Sequence, residues 1–192
     1  MTTHNVRPEF RLDEAVAVLR TTPDVLRTWL SRVPSIWTEC KIGPETFSPF
    51  DVVGHLIHGE KADWIPRLRI ILEHGIEKPF EPFDRFAMYE SSKGKTLPEL
   101  LDEFAELRAR NLTEFQRLKL SGPDLRKQGI HPEFGMVTAS QLIATWAVHD
   151  LNHIGQIART MAFRYRDEVG PWRKYLSILP QSSGLQRDGS VE

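Results

Sequence analysis

The stretch Thr145–Thr160, "TWAVHDLNHIGQIART", places His149 and His153 four residues apart in a segment with helical apolar spacing. A step of four on an α-helix returns to nearly the same azimuth, about 6 Å further along the axis. Both imidazoles therefore leave one face. Leu142, Thr145, Trp146, His149, His153, Gln156 and Thr160 share that face by the i, i+3, i+4 rule. In company with Leu142 and Trp146 the histidines are expected to point inward. A buried imidazole has a donor and an acceptor to satisfy away from water, so an inward pair needs a partner.

Working outward, Thr138 and Gln141 form a capping box that opens this helix, which should reach about Tyr165. Upstream, Ser48 with Pro49 and Asp51 opens another helix toward Gly75, with a kink near Ala62–Trp64 because Pro66 removes a backbone donor. Its inward stripe, Val52, His55, Leu56, Gly59 and Ala62, carries His55 into the same interior. Thr96 and Glu99 cap a helix reaching about Leu120. The first pattern, Leu12–Leu30, is expected to break or restart at Thr22–Pro23, which reads as an N-cap followed by proline.

Between these helices, Ile76–Lys95 holds two prolines and no sustained period, and reads as a long surface connection of a length more often functional than accidental. Residues 121–137 read as a second connection, with no period-2 strand of useful length. The segment "GPWRKYLSIL" reads as a short helix or an extended piece. The expected fold is all-α: a four-helix bundle with an additional short C-terminal segment, one domain over residues 8–180. The tail 181–192 has almost nothing to bury and is expected to be disordered.

A chain of 192 residues, 40% apolar and 27% charged, is long enough for one full core. Its 25 basic and 26 acidic residues leave a net charge of −1, which gives no field to attract nucleic acid or an anionic membrane. No apolar run spans a bilayer and "MTTHNVRPEF" lacks signal-peptide features, so the expected location is the cytoplasm. The expected partner is a small molecule, with a homodimer also compatible. Cys40 stands alone, which excludes an intrachain disulfide and a thiolate metal cluster; on "WTECKIGPE" it reads as passive.

Two histidines at i, i+4 and a third from a facing helix are the ingredients of a tridentate metal site, since neutral imidazole binds zinc, nickel, copper or iron. His58, about 60° round from His55, is an alternative ligand, a support for one, or a partly exposed histidine. Asp51 could hold a ligand or merely cap its helix. Gln156 could hold a ligand or bound water, and His131, in "GIHPEFG", could line a pocket mouth. If the helices bearing His55 and His149 run parallel, His131, Phe134 and Phe50 would rim one opening. Asp150, in "HDLNH", occupies the place of the general base in HExxH zinc peptidases, one methylene short.

Together "DVVGHLIHGEKADW" and "LIATWAVHDLNHIGQIAR" resemble the DinB-like superfamily of metal-binding four-helix bundles, from about Val16 to Leu179. The resemblance implies a divalent metal (zinc, nickel or iron) on His55, His149 and His153. It also implies a link to bacillithiol- or mycothiol-dependent transferases, hence a low-molecular-weight thiol cosubstrate. Many relatives carry histidine where this chain has Asn152. A metal-dependent hydrolase and a non-enzymatic metal-binding bundle stand as alternatives, and no side chain is assigned to catalysis.

Overall fold

The structure, a computed structural model, describes residues 10–180; the tail expected at 181–192 lies outside the described residues. Pro23 does not interrupt α1 (Leu12–Leu30), contrary to the expected break. A proline inside a helix strips the carbonyl four residues back of its donor. Here that carbonyl belongs to Leu19, and Arg108 Nη1 donates to it at 2.7 Å. The Thr22 hydroxyl donates to the Val18 carbonyl at 3.1 Å rather than capping a new helix.

A single turn, α2 (Ser35–Thr38), leads to α3 (Pro49–Ala62), which opens with the Ser48–Asp51 capping box. The kink falls at Asp63, between α3 and α4 (Trp64–Glu73), where Pro66 leaves the Ala62 carbonyl without its helical donor. A 3-10 turn (Gly75–Glu77), irregular chain and α5 (Met88–Ser91) connect to α6 (Leu97–Arg117), opened by the Thr96–Glu99 box. After α7 (Gly122–Leu125) come two antiparallel strands, β1 (Gln128–His131) and β2 (Gly135–Thr138).

This hairpin departs from the expectation of no strand. Four-residue strands offer too little alternation to register, and the surviving signal is the loop Pro132–Phe134 closed by Gly135 at φ +71°. Helix α8 (Ala139–Phe163) opens with the Thr138–Gln141 box, and a 3-10 segment, Gly170–Tyr175, follows it.

Side-chain pairs fix the helix directions. Arg27–Asp102 and Arg108–Leu19 make α1 antiparallel to α6. Lys61–Glu103 and Arg69–Glu114 make α3–α4 parallel to α6. His55 meets His153 while Glu60 meets Trp146, so α3 and α8 are antiparallel. The order round the four-helix bundle is α1, α6, α3–α4, α8. Parallel neighbours cannot be joined by a tight turn, so Ile76–Lys95 must travel back along the bundle, and it passes over the face of α3 that bears His55.

The apolar core lies in two parts. Leu19, Trp64, Leu68, Phe115, Ile143 and Trp146 belong to one; Leu26, Val53, Leu56, Phe104 and Ile157 belong to the other. A buried polar layer separates them. Arg108 donates to both Asp150 oxygens at 2.6 and 3.0 Å and to Glu60 at 2.8 Å, while Asn111 and Trp146 donate to Glu60 at 3.0 and 2.9 Å. Burial of these charges is tolerated because both carboxylates have several donors. Ala62 and Thr145, expected to face inward, are exposed, and Glu60 and Asp150 are buried in their stead. Among the described residues no helix is long and apolar enough to cross a membrane.

Candidate metal centre

His55 stands two turns into α3, and His149 and His153 stand one turn apart on α8. Antiparallel packing of α3 and α8 brings the three rings together. His149 Nε2 lies 3.2 Å from His55 Nε2 and 3.0 Å from His153 Nε2. These are the three histidines expected from the sequence, and their ring nitrogens form a group that could hold a metal ion.

The proton count bears on whether a cation fits. Gln156 Oε1 only accepts, so His153 Nδ1 carries the hydrogen that bridges them at 2.7 Å, and His153 Nε2 is left as a bare lone pair. His149 Nε2 faces that lone pair and His55 Nε2 as well, and has at most one hydrogen to give. Its buried Nδ1 has no hydrogen-bond partner among the described residues in either tautomer, so the conflict that separates the two states is the crowding of the Nε2 atoms. Charging the rings is no remedy. Burial, with like-charge repulsion from His153, holds His55 down to about 3, and burial pushes His149 and His153 down as well. A cation at the centre satisfies all three lone pairs. Two nitrogens on one tetrahedral zinc at about 2.0–2.1 Å lie roughly 3.3–3.4 Å apart, close to the spacing seen here.

The walls come from aromatic rings and the crossover. Trp64 meets His149 edge-on at 5.0 Å and stacks on Trp146 at 5.9 Å. A Cβ on Gly59 would lie 3.2 Å from Trp64 Nε1, so glycine there serves close packing. Arg67 donates to the Glu81 carbonyl at 3.2 Å, and the Phe80 N–H donates to the Ile130 carbonyl at 2.9 Å. Held at these two points, the crossover lays Phe83 edge-on against His55 at 5.6 Å.

The other sequence candidates separate cleanly. Gln156 reaches a cluster histidine; Asp51 does not, being taken by the cap on Ser48 N–H at 2.9 Å and by Lys41 at 2.8 Å. His58 is half-buried with its ring on Phe83 at 4.7 Å, outside the three-nitrogen group. His131 Nδ1 accepts the Glu133 and Phe134 N–H groups at 3.2 and 3.3 Å, and its ring stacks on Phe134 at 4.5 Å. It secures the hairpin turn. The opening expected from parallel helices does not form, because α3 and α8 are antiparallel. Asp150 is fully buried with both oxygens committed to Arg108, so it is not placed as a general base. Asn152 is exposed, off the cluster. Cys40 is half-buried, its thiol donating to the Trp37 carbonyl at 3.1 Å, and burial pushes it up in pKa, as suits a passive residue.

Sequence reasoning missed Phe47 and Phe83, the two rings against His55. Both lie on irregular chain, where no periodicity assigns a direction; the length of the crossover was the available signal.

No curated protein matches the chain. Its fold matches the solved structure of YfiT from Bacillus subtilis, described as a probable metal-dependent hydrolase with an unusual four-helix bundle topology. That match has a TM-score of 0.68 at 20% identity and covers 88% of this chain and 94% of that one. Residues 13–157 match the DinB superfamily. By that match, over most of its length, the chain belongs to the DinB superfamily.

Proposed function

We propose that His55, His149 and His153 hold a divalent metal (zinc, nickel or iron) and that the protein is a metal-dependent transferase activating a low-molecular-weight thiol. The observation that carries this reading is the convergence of three neutral imidazole nitrogens while the neighbouring carboxylate, Asp150, is locked on Arg108. When bound, such a metal supplies Lewis acidity, lowering the pKa of a thiol or water in an open coordination position.

The chain's own residues do the rest. Gln156 holds His153 in the tautomer that leaves Nε2 free. Phe47, Phe83 and Trp64 flank the ligand rings and keep water from their sides. A thiol with pKa near 8.5 needs only about one to two units of lowering to ionise at neutral pH, so a centre whose neighbouring carboxylate, Asp150, is committed to Arg108 suits a thiol substrate. The cosubstrate would bring the sulfur, which fits the passive setting of Cys40.

Hydrolysis is the second reading. It is favoured by the description of YfiT and by His58, whose half-buried ring lies beside Phe83 at the edge of the centre. One assay separates the two. Metal-replete protein is given 1-chloro-2,4-dinitrobenzene with a panel of small thiols, and 4-nitrophenyl acetate without thiol. Thioether formation above the uncatalysed rate, abolished by chelation, is the expected result. Metal-dependent ester hydrolysis with no thiol-dependent product would select the second reading.

A further inference from the structure

His55 sits between two rings from different segments, Phe47 at 5.8 Å and Phe83 at 5.6 Å. Phe47 in turn meets Phe86 and Tyr89 edge-on at 6.4 and 6.1 Å. Those two rings are nearly parallel, 7° apart in plane with centroids 6.3 Å apart. Phe47 is buried, whereas Phe86 is 52% and Tyr89 40% exposed. A continuous aromatic surface thus leads from solvent to a histidine of the centre. Single exposed aromatic residues are ordinary on protein surfaces; a contiguous set that ends on a candidate metal centre is a feature of binding sites.

The charges at its edge are unequal. Lys41 lies over Tyr89 at 5.6 Å, but its ammonium is paired with Asp51 at 2.8 Å. Asp84 is engaged by the Phe86 N–H at 3.0 Å. Arg85 is exposed, with its guanidinium over Phe86 at 5.0 Å and no carboxylate at ion-pair distance among the described residues. It is a cation in reserve at the mouth of the surface.

We propose that Phe47, Phe86 and Tyr89, with Arg85 at their edge, bind the second substrate of this site, and that this substrate is a planar aromatic compound bearing an anionic group. The rings supply stacking and edge contacts to a flat apolar body. The guanidinium supplies a planar fork of donors to a carboxylate, sulfonate or phosphate. An uncharged aliphatic compound obtains neither, and an aromatic cation obtains the ring contacts but is repelled by the guanidinium. The inference rests on the metal-centre reading for its place beside the chemistry, but the surface itself does not need the metal.

The test is equilibrium binding of three naphthalene probes, followed by ligand NMR: 2-naphthalenesulfonate, the neutral 2-naphthalenemethanol and 2-naphthylmethylammonium. Sulfonate is a poor metal ligand, so its binding reports on the surface. The anion should bind about tenfold more tightly than the neutral probe, as one charge-assisted contact allows. Arg85→Met should remove that preference and leave the neutral probe unchanged. Phe86→Ala should weaken every probe about tenfold. Both side chains are exposed, so thermal midpoints should not move, which separates recognition from support of the fold. His149→Ala, which disrupts the metal reading, should keep the preference for the anion; its loss there would assign recognition to the metal and overturn the proposal. Equal affinity for the three probes, or unchanged affinity in both Arg85→Met and Phe86→Ala, would overturn it too.

Discussion

His153 Nδ1 donates to Gln156 Oε1 at 2.7 Å, while Nε2 of the same ring faces His149 Nε2 at 3.0 Å. One side-chain amide, a single helical turn on, thereby decides which nitrogen of His153 is free to bind.

Gln156→Leu should accordingly lower metal affinity by about 10–100-fold, the usual cost of losing a group that orients a ligand. Helical content should not change. Competition with a chromogenic chelator measures the effect, and an unaltered dissociation constant would show that the amide does not set the tautomer.

Arg108→Met removes the donor shared by Glu60, Asp150 and the Leu19 carbonyl. Two carboxylates are then left buried without their cation, and a loss of about 3–5 kcal/mol in urea denaturation is expected. Pro23→Ala returns a backbone donor to Leu19 O, so the double variant should be less destabilised than the sum of the two single changes. Strict additivity, or a loss for Arg108→Met below about 1 kcal/mol, would mean the polar layer does not hold α1 in place.

Acid should destabilise the metal-free protein. Burial depresses His149 and His153 and holds His55 at about 3 in the fold, against about 6.5 in an unfolded chain. Below about pH 6.5 the unfolded chain therefore binds protons that the folded cluster refuses. Stability is full above that pH and falls toward pH 3, by up to about 1.4 kcal/mol per pH unit for each site. Asp63 acts with opposite sign, because burial pushes it up to about 6 despite Arg67, so the fold gains protons there; it is one group against three. Urea midpoints at pH 7.5 and 5.0 test the balance, and His55→Leu with His153→Leu should flatten the difference. A midpoint that rises on acidification would reverse the assignment.

Much of this was legible in the sequence wherever one local rule dominated. Two capping boxes fixed the starts of α6 and α8, the Ser48 cap with Pro49 fixed that of α3, and Pro66 marked the kink at Asp63. The i, i+4 histidines and His55 pointed inward as their stripes required. What escaped depended on distant partners. Pro23 reads as a helix start until Arg108, 85 positions later in the chain, is seen to satisfy Leu19 O. Asp150 lies beside His149 in sequence but belongs to the Trp146–His153 side of α8, where Arg108 receives it. The direction of α3 relative to α8, and with it the side from which the centre opens, is set by the crossover, whose irregular chain carries no period.

Metal content is the most direct test of the central claim. Untagged protein, reconstituted and desalted, should contain one divalent metal per chain by elemental analysis. His55→Ala, His149→Ala and His153→Ala should each lose it while keeping the helical circular-dichroism spectrum. Full occupancy in any of the three variants, or no metal retained by the reconstituted wild type, would contradict the account.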